Sequence, residues 1–294
     1  MGDHPLNGYP YPHLLSLLTP YATSSEINAL GAMLLRRPWA TIPVQQHVIK
    51  VRTDGDPSHL RSLRTEARFY ESTDHIPLTL PTLCATYFVD HAGALVLQRL
   101  KGDPLSVHRE ALGISVCAQR QVLDVILRLQ SATPPPWLST YDRNDKYAKY
   151  LAMATTAGCI DADALHSLSA FVGLLGYPGS LVMSHGDLNP TNILGAPDGA
   201  FYILDWEYIS LRPPSHDPLT FLLFANEPLT AVADLERLAP YWEPLELYRD
   251  ALVICMRQVR NWATQTTDRA LQRQRIPRWR DAALLAAAIL HERA

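Results

Sequence analysis

The chain has 294 residues, 47% of them hydrophobic and 19% charged, with a formal net charge of −3. That balance describes a folded globular protein and excludes a disordered or collagen-like chain. With no net basic field, neither nucleic acid nor an anionic membrane is an expected partner.

The basic residues are 22 arginines and four lysines (Lys50, Lys101, Lys146 and Lys149). A coding bias toward arginine accounts for the ratio but not for the position of the exceptions. Cys84, Cys117, Cys159 and Cys255 show no C-x-x-C spacing, which predicts buried free thiols in a reducing compartment. The opening Met1-Gly-Asp-His-Pro5 has no charged stretch followed by an apolar one. No apolar run reaches the roughly 18–20 residues of a bilayer span. The expectation is a cytoplasmic protein without a membrane partner.

In chain order, the Pro-rich first 45 residues yield only a short helical turn at Leu14–Leu18, stopped by Pro20. His47–Val51 is β-branched and predicts a strand. Asp56-Pro-Ser offers a helix start, and Leu60, Leu63, Ala67 and Tyr70 continue it at helical spacing to about Ser72. Thr82–Val89 and Ala94–Leu100 predict two more strands around a turn at 90–93. Thereafter helix dominates: Leu105–Gln130, ended by Pro134-Pro-Pro136, and two helices within 143–176. Short strands at Leu181–Ser184 and Phe201–Leu204 flank His185–Leu194. The tail from Pro218 is again helical, with expected breaks at Pro228, Pro240, Pro244 and Pro277. A mainly β first third joined to a mainly α remainder is an α+β arrangement with a cleft between lobes.

The chemistry concentrates in Ser184-His-Gly-Asp-Leu-Asn-Pro-Thr-Asn-Ile-Leu194 and Phe201-Tyr-Ile-Leu-Asp-Trp-Glu-Tyr208. Asp187, Asn192 and Asp205 supply two carboxylates and an amide oxygen, hard ligands of the kind Mg²⁺ takes together with substrate phosphates. Phosphoryl transfer needs such a metal site, a carboxylate to orient the attacking hydroxyl and a cation on the phosphates.

His185-Gly-Asp187-x-x-x-x-Asn192, with Asp205 thirteen residues on, resembles the catalytic loop and metal-binding Asp of the protein-kinase-like fold. The variant is similar to that of the aminoglycoside phosphotransferase and choline kinase family. Protein kinases proper carry His-Arg-Asp and Asp-Phe-Gly instead. The resemblance spans about residues 45–225 and is specific at these two motifs. It implies a small β-rich N-terminal lobe with one helix (about 1–100), a hinge at about 98–104, and a larger, mostly helical lobe (101–294). It implies Asp187 as the catalytic base or hydroxyl-orienting residue, His185 as a support of the loop, and Asn192 and Asp205 as Mg²⁺ ligands.

Such a fold needs a strand lysine on the nucleotide phosphates and a helix glutamate to hold it. Lys50 lies inside the apolar run Val48-Ile-Lys-Val51, where an ammonium requires an anionic partner. Glu66, sixteen residues on, shares a helix face with Leu63 and Tyr70; Glu71 is its competitor. Gln98, Arg99 and Leu100 fall where backbone groups would recognise adenine. No G-x-G-x-x-G is present, and only Gly31 stands near the position of a phosphate-covering loop. Gln130 replaces a histidine common in relatives and reads as structural. Asp217, in His216-Asp-Pro, resembles the Asp that follows the metal-binding motif at a helix start in that family, and by itself reads as a helix N-cap.

The expected activity is therefore Mg-ATP-dependent transfer of a phosphoryl group to a small-molecule hydroxyl, of an antibiotic, an amino alcohol or another metabolite, with GTP left open as donor. Two alternatives stand beside it: a Ser/Thr kinase acting on a peptide or protein, and a non-catalytic nucleotide-binding relative. Two stretches point opposite ways on the acceptor. The acidic residues of 227–250, with Tyr241, Trp242, Tyr248 and Trp262 nearby, suit a cation. The arginines from Arg257 to Arg280 suit an anion or an acidic peptide.

Overall fold

A computed structural model describes residues 9, 11–53, 57–73, 76–89, 91–177 and 179–293. They form two compact units, 1–102 with 196–209, and 103–195 with 210–294. The units are thus not two consecutive stretches: the segment carrying Asp205 is part of the first.

The first unit begins with α1 (Pro12–Leu17) and α2 (Ser24–Leu34). A capping box starts α2: the Thr23 hydroxyl accepts from the Glu26 N–H, and the Glu26 carboxylate accepts from the Thr23 N–H. Capping residues of this kind satisfy helix-end N–H groups that nothing else reaches. The Pro-rich start therefore holds a helix that its composition concealed. Gly31 lies inside α2, not in a loop, and a side chain there would meet the Tyr9 ring at 2.7 Å.

β1 (Trp39–Val44), β2 (His47–Thr53), β3 (Leu83–Val89) and β4 (Ala92–Gln98) form an antiparallel sheet in the order β1-β2-β4-β3. Between β2 and β3 runs α3 (Pro57–Tyr70); its expected start at Asp56 lies outside the described residues. Because strand side chains alternate between faces, Ile49, Val51, Ala94 and Val96 pack with Leu14, Leu15, Ile27 and Leu30 from α1 and α2. Leu95 packs instead with Leu63 and Ala67 of α3. Lys50 pairs in register with Leu95, which puts it on the α3 face. Gly93, opposite Phe88, leaves room for that ring: a Cβ there would lie 2.6 Å from it.

The second unit is mostly helical: α4 (Val116–Gln130), α5 (Arg143–Thr156), α6 (Ala162–Ser169), α7 (His216–Ala225), α8 (Pro228–Ala233), α9 (Leu235–Leu238), α10 (Pro244–Gln265) and α11 (Arg269–Arg293). Short antiparallel pairs, Asp103–Pro104 with Leu194–Gly195 and Val182–Ser184 with Ser210–Arg212, frame the loop between them. The core joins α5, α7, α10 and α11 through Tyr147, Leu219, Leu252 and Trp279.

Three expectations are corrected here. The predicted helix over Leu105–Gln130 begins only at Val116, capped by Ser115. Within the eleven residues before it, backbone bonds reach distant partners instead: the Leu105 N–H donates to Ile193 O and that of Ala111 to Phe224 O. Pro277 does not break the last helix, which runs through it. An interior proline costs about 3 kcal/mol, and the neighbouring Arg275, Arg278 and Trp279 all bond the Glu110 carboxylate, which holds the helix across it. Of the four free cysteines only Cys255 is buried; Cys84, on edge strand β3, and Cys117, in the first turn of α4, are exposed. No described helix is long and apolar enough to cross a membrane.

Candidate active site

In the first unit, β2 and α3 present Lys50 and Glu66 to each other. The Lys50 ammonium donates to Glu66 Oε2 at 2.5 Å and to Asp205 Oδ1 at 2.6 Å. Lys50 and Glu66 are buried, whereas the Asp205 side chain is 35% exposed. Burial works against the ammonium, but the Glu66, Asp205 and Glu207 carboxylates outweigh it and hold the Lys50 pKa above its ordinary value. Burial pushes the Glu66 carboxyl up, with Lys50 pulling the other way. Glu71, beyond the end of α3, is exposed.

Asp205 has a positive φ of 69°, a conformation that a non-glycine residue adopts only where its surroundings demand it. The demand comes from the next residue. Trp206 is fully buried and stacks on Phe69 of α3 at 4.2 Å between ring centroids. Its indole N–H donates to Ile203 O, and its backbone N–H donates to Glu66 Oε1. Glu66 thus holds Lys50 with one oxygen and the Asp205–Trp206 backbone with the other. Glu207 accepts from Arg52 at 3.0 Å. The aromatic residue of the motif, to which the sequence assigned no role, is its anchor.

Gln98, Arg99 and Leu100 lie elsewhere in this unit, lining a cavity of about 620 Å³ with Gln45, Gln46 and His47. The Gln98 N–H donates to Thr82 O and that of Arg99 to Gln46 O. The Leu100 N–H has no hydrogen-bond partner among the described residues.

In the second unit, the loop from His185 to Asn192 brings the remaining three predicted residues together. Gly186 takes a φ of 83°, which glycine adopts without steric cost. The Asp187 N–H donates to His185 Nδ1 at 3.3 Å, and Asn192 Nδ2 donates to Asp187 O at 3.0 Å. Asn189 caps the turn Pro190–Asn192, accepting from the Thr191 N–H. Asp217 is not an N-cap: Ser215 holds that position in α7. The buried Asp217 carboxylate instead accepts from the His185 and Gly186 N–H groups at 2.7 and 2.9 Å. It positions the loop through its backbone. Gln130 is structural, as expected, donating to Pro214 O.

Sequence reasoning missed the partners of Asp187. Arg109 Nη2 lies 2.6 Å from Oδ1 and 2.8 Å from Oδ2. Arg257 of α10 lies 2.9 Å from Oδ1 and also donates to Gly186 O. Arg109 sits in the stretch read as helix, 78 residues from Asp187, so no local pattern announces the contact.

The two charged stretches also resolve. Among the acidic residues of 227–250, Glu227 pairs with Arg278, Asp234 with Arg237 and Glu236 with Arg293. Glu243 caps α10. Glu246 and Asp250 both hold the buried Arg143. The first three are surface or half-exposed pairs and only those with Arg143 are buried, but each of these carboxylates already has a partner.

No protein-family model matches the chain, and no curated protein matches it in sequence. Its fold does have solved counterparts. The gentamicin complex of APH(2")-IIa aligns over 84% of this chain and 90% of its own, with a TM-score of 0.58 at 13% identity. A thermostable mutant of aminoglycoside phosphotransferase APH(4)-Ia, in ternary complex with AMP-PNP and hygromycin B, aligns over 91% and 99%, with a TM-score of 0.58 at 14% identity. Choline kinase LicA from Streptococcus pneumoniae aligns over 85% and 90%, with a TM-score of 0.55 at 16% identity. The chain therefore has the kinase-like α+β fold of these enzymes, the fold that the two motifs resemble.

Proposed function

We propose that this protein is a Mg²⁺-dependent phosphotransferase that moves the γ-phosphoryl group of ATP to a hydroxyl of a small molecule. The observation that carries the reading is the buried Lys50 held between Glu66 and Asp205 at 2.5 and 2.6 Å. A buried, oriented ammonium with a solvent-reaching carboxylate beside it suits a nucleotide phosphate and its metal. The fold of nucleotide-bound aminoglycoside kinases supports the same reading, and gentamicin and hygromycin B in those structures support a small-molecule acceptor.

In this reading Lys50 binds the phosphates and Glu66 keeps it oriented. Adenine lies against Gln98, Arg99 and Leu100, with the Leu100 N–H as its donor. Asp205 and Asn192 would each offer Mg²⁺ a hard oxygen, and Mg²⁺ needs only one or two carboxylates when phosphates complete its shell. When bound, the metal neutralises phosphate charge. Asp187 orients the acceptor hydroxyl and takes its proton as the new O–P bond forms and the β–γ bridge bond breaks, releasing ADP. His185, Asn192 and Asp217 keep the Asp187 backbone in place.

Calorimetric titration of Mg-ATP tests this directly. Lys50→Ala and Asp205→Ala are each expected to weaken binding by roughly tenfold to a hundredfold, the loss of a charge-assisted contact. Undiminished affinity in both would refute the nucleotide site.

A further inference from the structure

Around the Asp187 carboxylate the charge balance is inverted: two guanidinium groups, Arg109 and Arg257, face one carboxylate. One α-helical turn beyond Arg257, on the same face of α10, is Arg260. It makes no ion pair among the described residues, and its Nε is buried without a hydrogen-bond partner. Its guanidinium lies 4.9 Å from the Tyr150 ring centre. The field of this group is felt locally: burial pushes the Tyr150 phenol up, but Arg257, Tyr141, Arg260 and Arg212 outweigh it and lower its pKa.

The two ends of this cationic surface are physically joined. Glu110, next to Arg109, accepts from the indole N–H groups of Trp262 and Trp279 and pairs with Arg275. Trp262 is two residues from Arg260 on α10, so the loop carrying Arg109 is pinned beside it. Arg109 itself is 46% exposed, whereas Arg257 is 13% exposed and also tied to Gly186 O. Of the two grips on Asp187, the Arg109 one is the exchangeable one.

We propose that the acceptor carries an oxyanion, a carboxylate or a phosphate ester, beside its hydroxyl, and that Arg109 and Arg260 bind it. This rests on the phosphotransferase reading. Arg109 passes from Asp187 to the incoming oxyanion, so no guanidinium is left unpaired. Arg257 keeps Oδ1, and Oδ2 becomes available to the hydroxyl. A cationic acceptor would have to face these arginines, while the acidic residues of 227–250 are already engaged.

The test follows ADP release by the full chain under saturating Mg-ATP with matched acceptors: gluconate, glucose 6-phosphate, neutral glucose, and cationic glucosamine and choline. The expected kcat/KM is at least roughly tenfold higher for an oxyanion acceptor than for glucose; which one identifies carboxylate or phosphate ester. Equal or faster turnover of the neutral or cationic acceptors overturns the inference. Should none of them turn over, sulfate titrated into the ADP-bound protein decides. Its affinity is expected to fall roughly tenfold or more in Arg260→Gln, with Arg109→Gln as second variant should the first not fold. Absent sulfate binding, or affinity unchanged in the variant, overturns it. ATP affinity is measured alongside: its absence in the wild type counts against the phosphotransferase reading, whereas intact ATP binding with cationic or neutral acceptors counts against the oxyanion alone.

Discussion

The Lys50 region and the Asp187 region are built on opposite charge plans. Around Lys50 and Arg52 stand three carboxylates, Glu66, Asp205 and Glu207, so the group retains negative charge. Around Asp187 stand two guanidinium groups with a third nearby, so that group retains positive charge. Under the proposed function, the first plan suits a metal cation and then phosphate, and the second suits an anion. The difference teaches that a single lysine and a single aspartate, each buried, are oriented by surplus opposite charge.

The largest expected effect separates the two regions most sharply. Asp187→Asn keeps the shape of the side chain but removes the charge that the arginines hold. Turnover should fall by roughly 10²–10⁴, the usual worth of a positioned acid–base group, while ATP affinity stays near that of the wild type. An equal loss in both measurements would break the division of labour.

Next comes the anchor of the acidic region. Trp206→Ala removes a fully buried ring stacked on Phe69 and should destabilise by about 3–5 kcal/mol in denaturant unfolding. ATP affinity should fall with it, since Asp205 loses the support of its strained backbone; unchanged stability would contradict the anchoring role.

The basic region has a smaller lever in Asp217. Asp217→Ala leaves the buried His185 and Gly186 N–H groups without their acceptor, at about 1–3 kcal/mol. Hydrogen exchange at His185–Asp187 should speed up, and kcat should fall more than the KM for ATP changes.

The smallest effect is a difference in pH response. Burial, then Arg212, lowers the His216 pKa below its ordinary 6.5, so the stability His216 contributes is present above that value and lost as pH falls through the lowered one. The Glu66 carboxyl is raised above its ordinary 4.5, so its contribution is present below 4.5 and lost as pH rises through the raised value. Acidification from pH 7.5 to 5 should therefore weaken hydrogen-exchange protection in α7 relative to α3 once intrinsic rates are corrected. A shift in the other direction would show that the assigned signs are wrong.

Much of the site was legible because it rests on short-range pattern. A lysine in a β-branched run and a glutamate on the inward face of the next helix are each visible within one element. The loop motif, with Gly186 at a positive φ, is also local. The expected helix over Leu105–Gln130 failed at its first eleven residues, where the Leu105 and Ala111 N–H groups donate to the distant Ile193 and Phe224 carbonyls rather than along a helix. Pro277 misled for the same kind of reason: the anchors on Glu110 come from 165 to 169 residues away.

The sequence by itself determined the α+β class, because periodicity acts over a few residues; the loop motif's resemblance to the kinase-like fold, rather than spacing, pointed to the pairing of strand lysine with helix glutamate and singled out Asp187 and Asn192. Only the tertiary structure decided which charges surround Asp187, that Asp217 holds the loop rather than a helix end, and that the carboxylates of the acidic stretch are engaged by arginines and a helix end. Those are ion pairs and hydrogen bonds between distant segments, and at net charge −3 a composition tells nothing of where each sign is gathered.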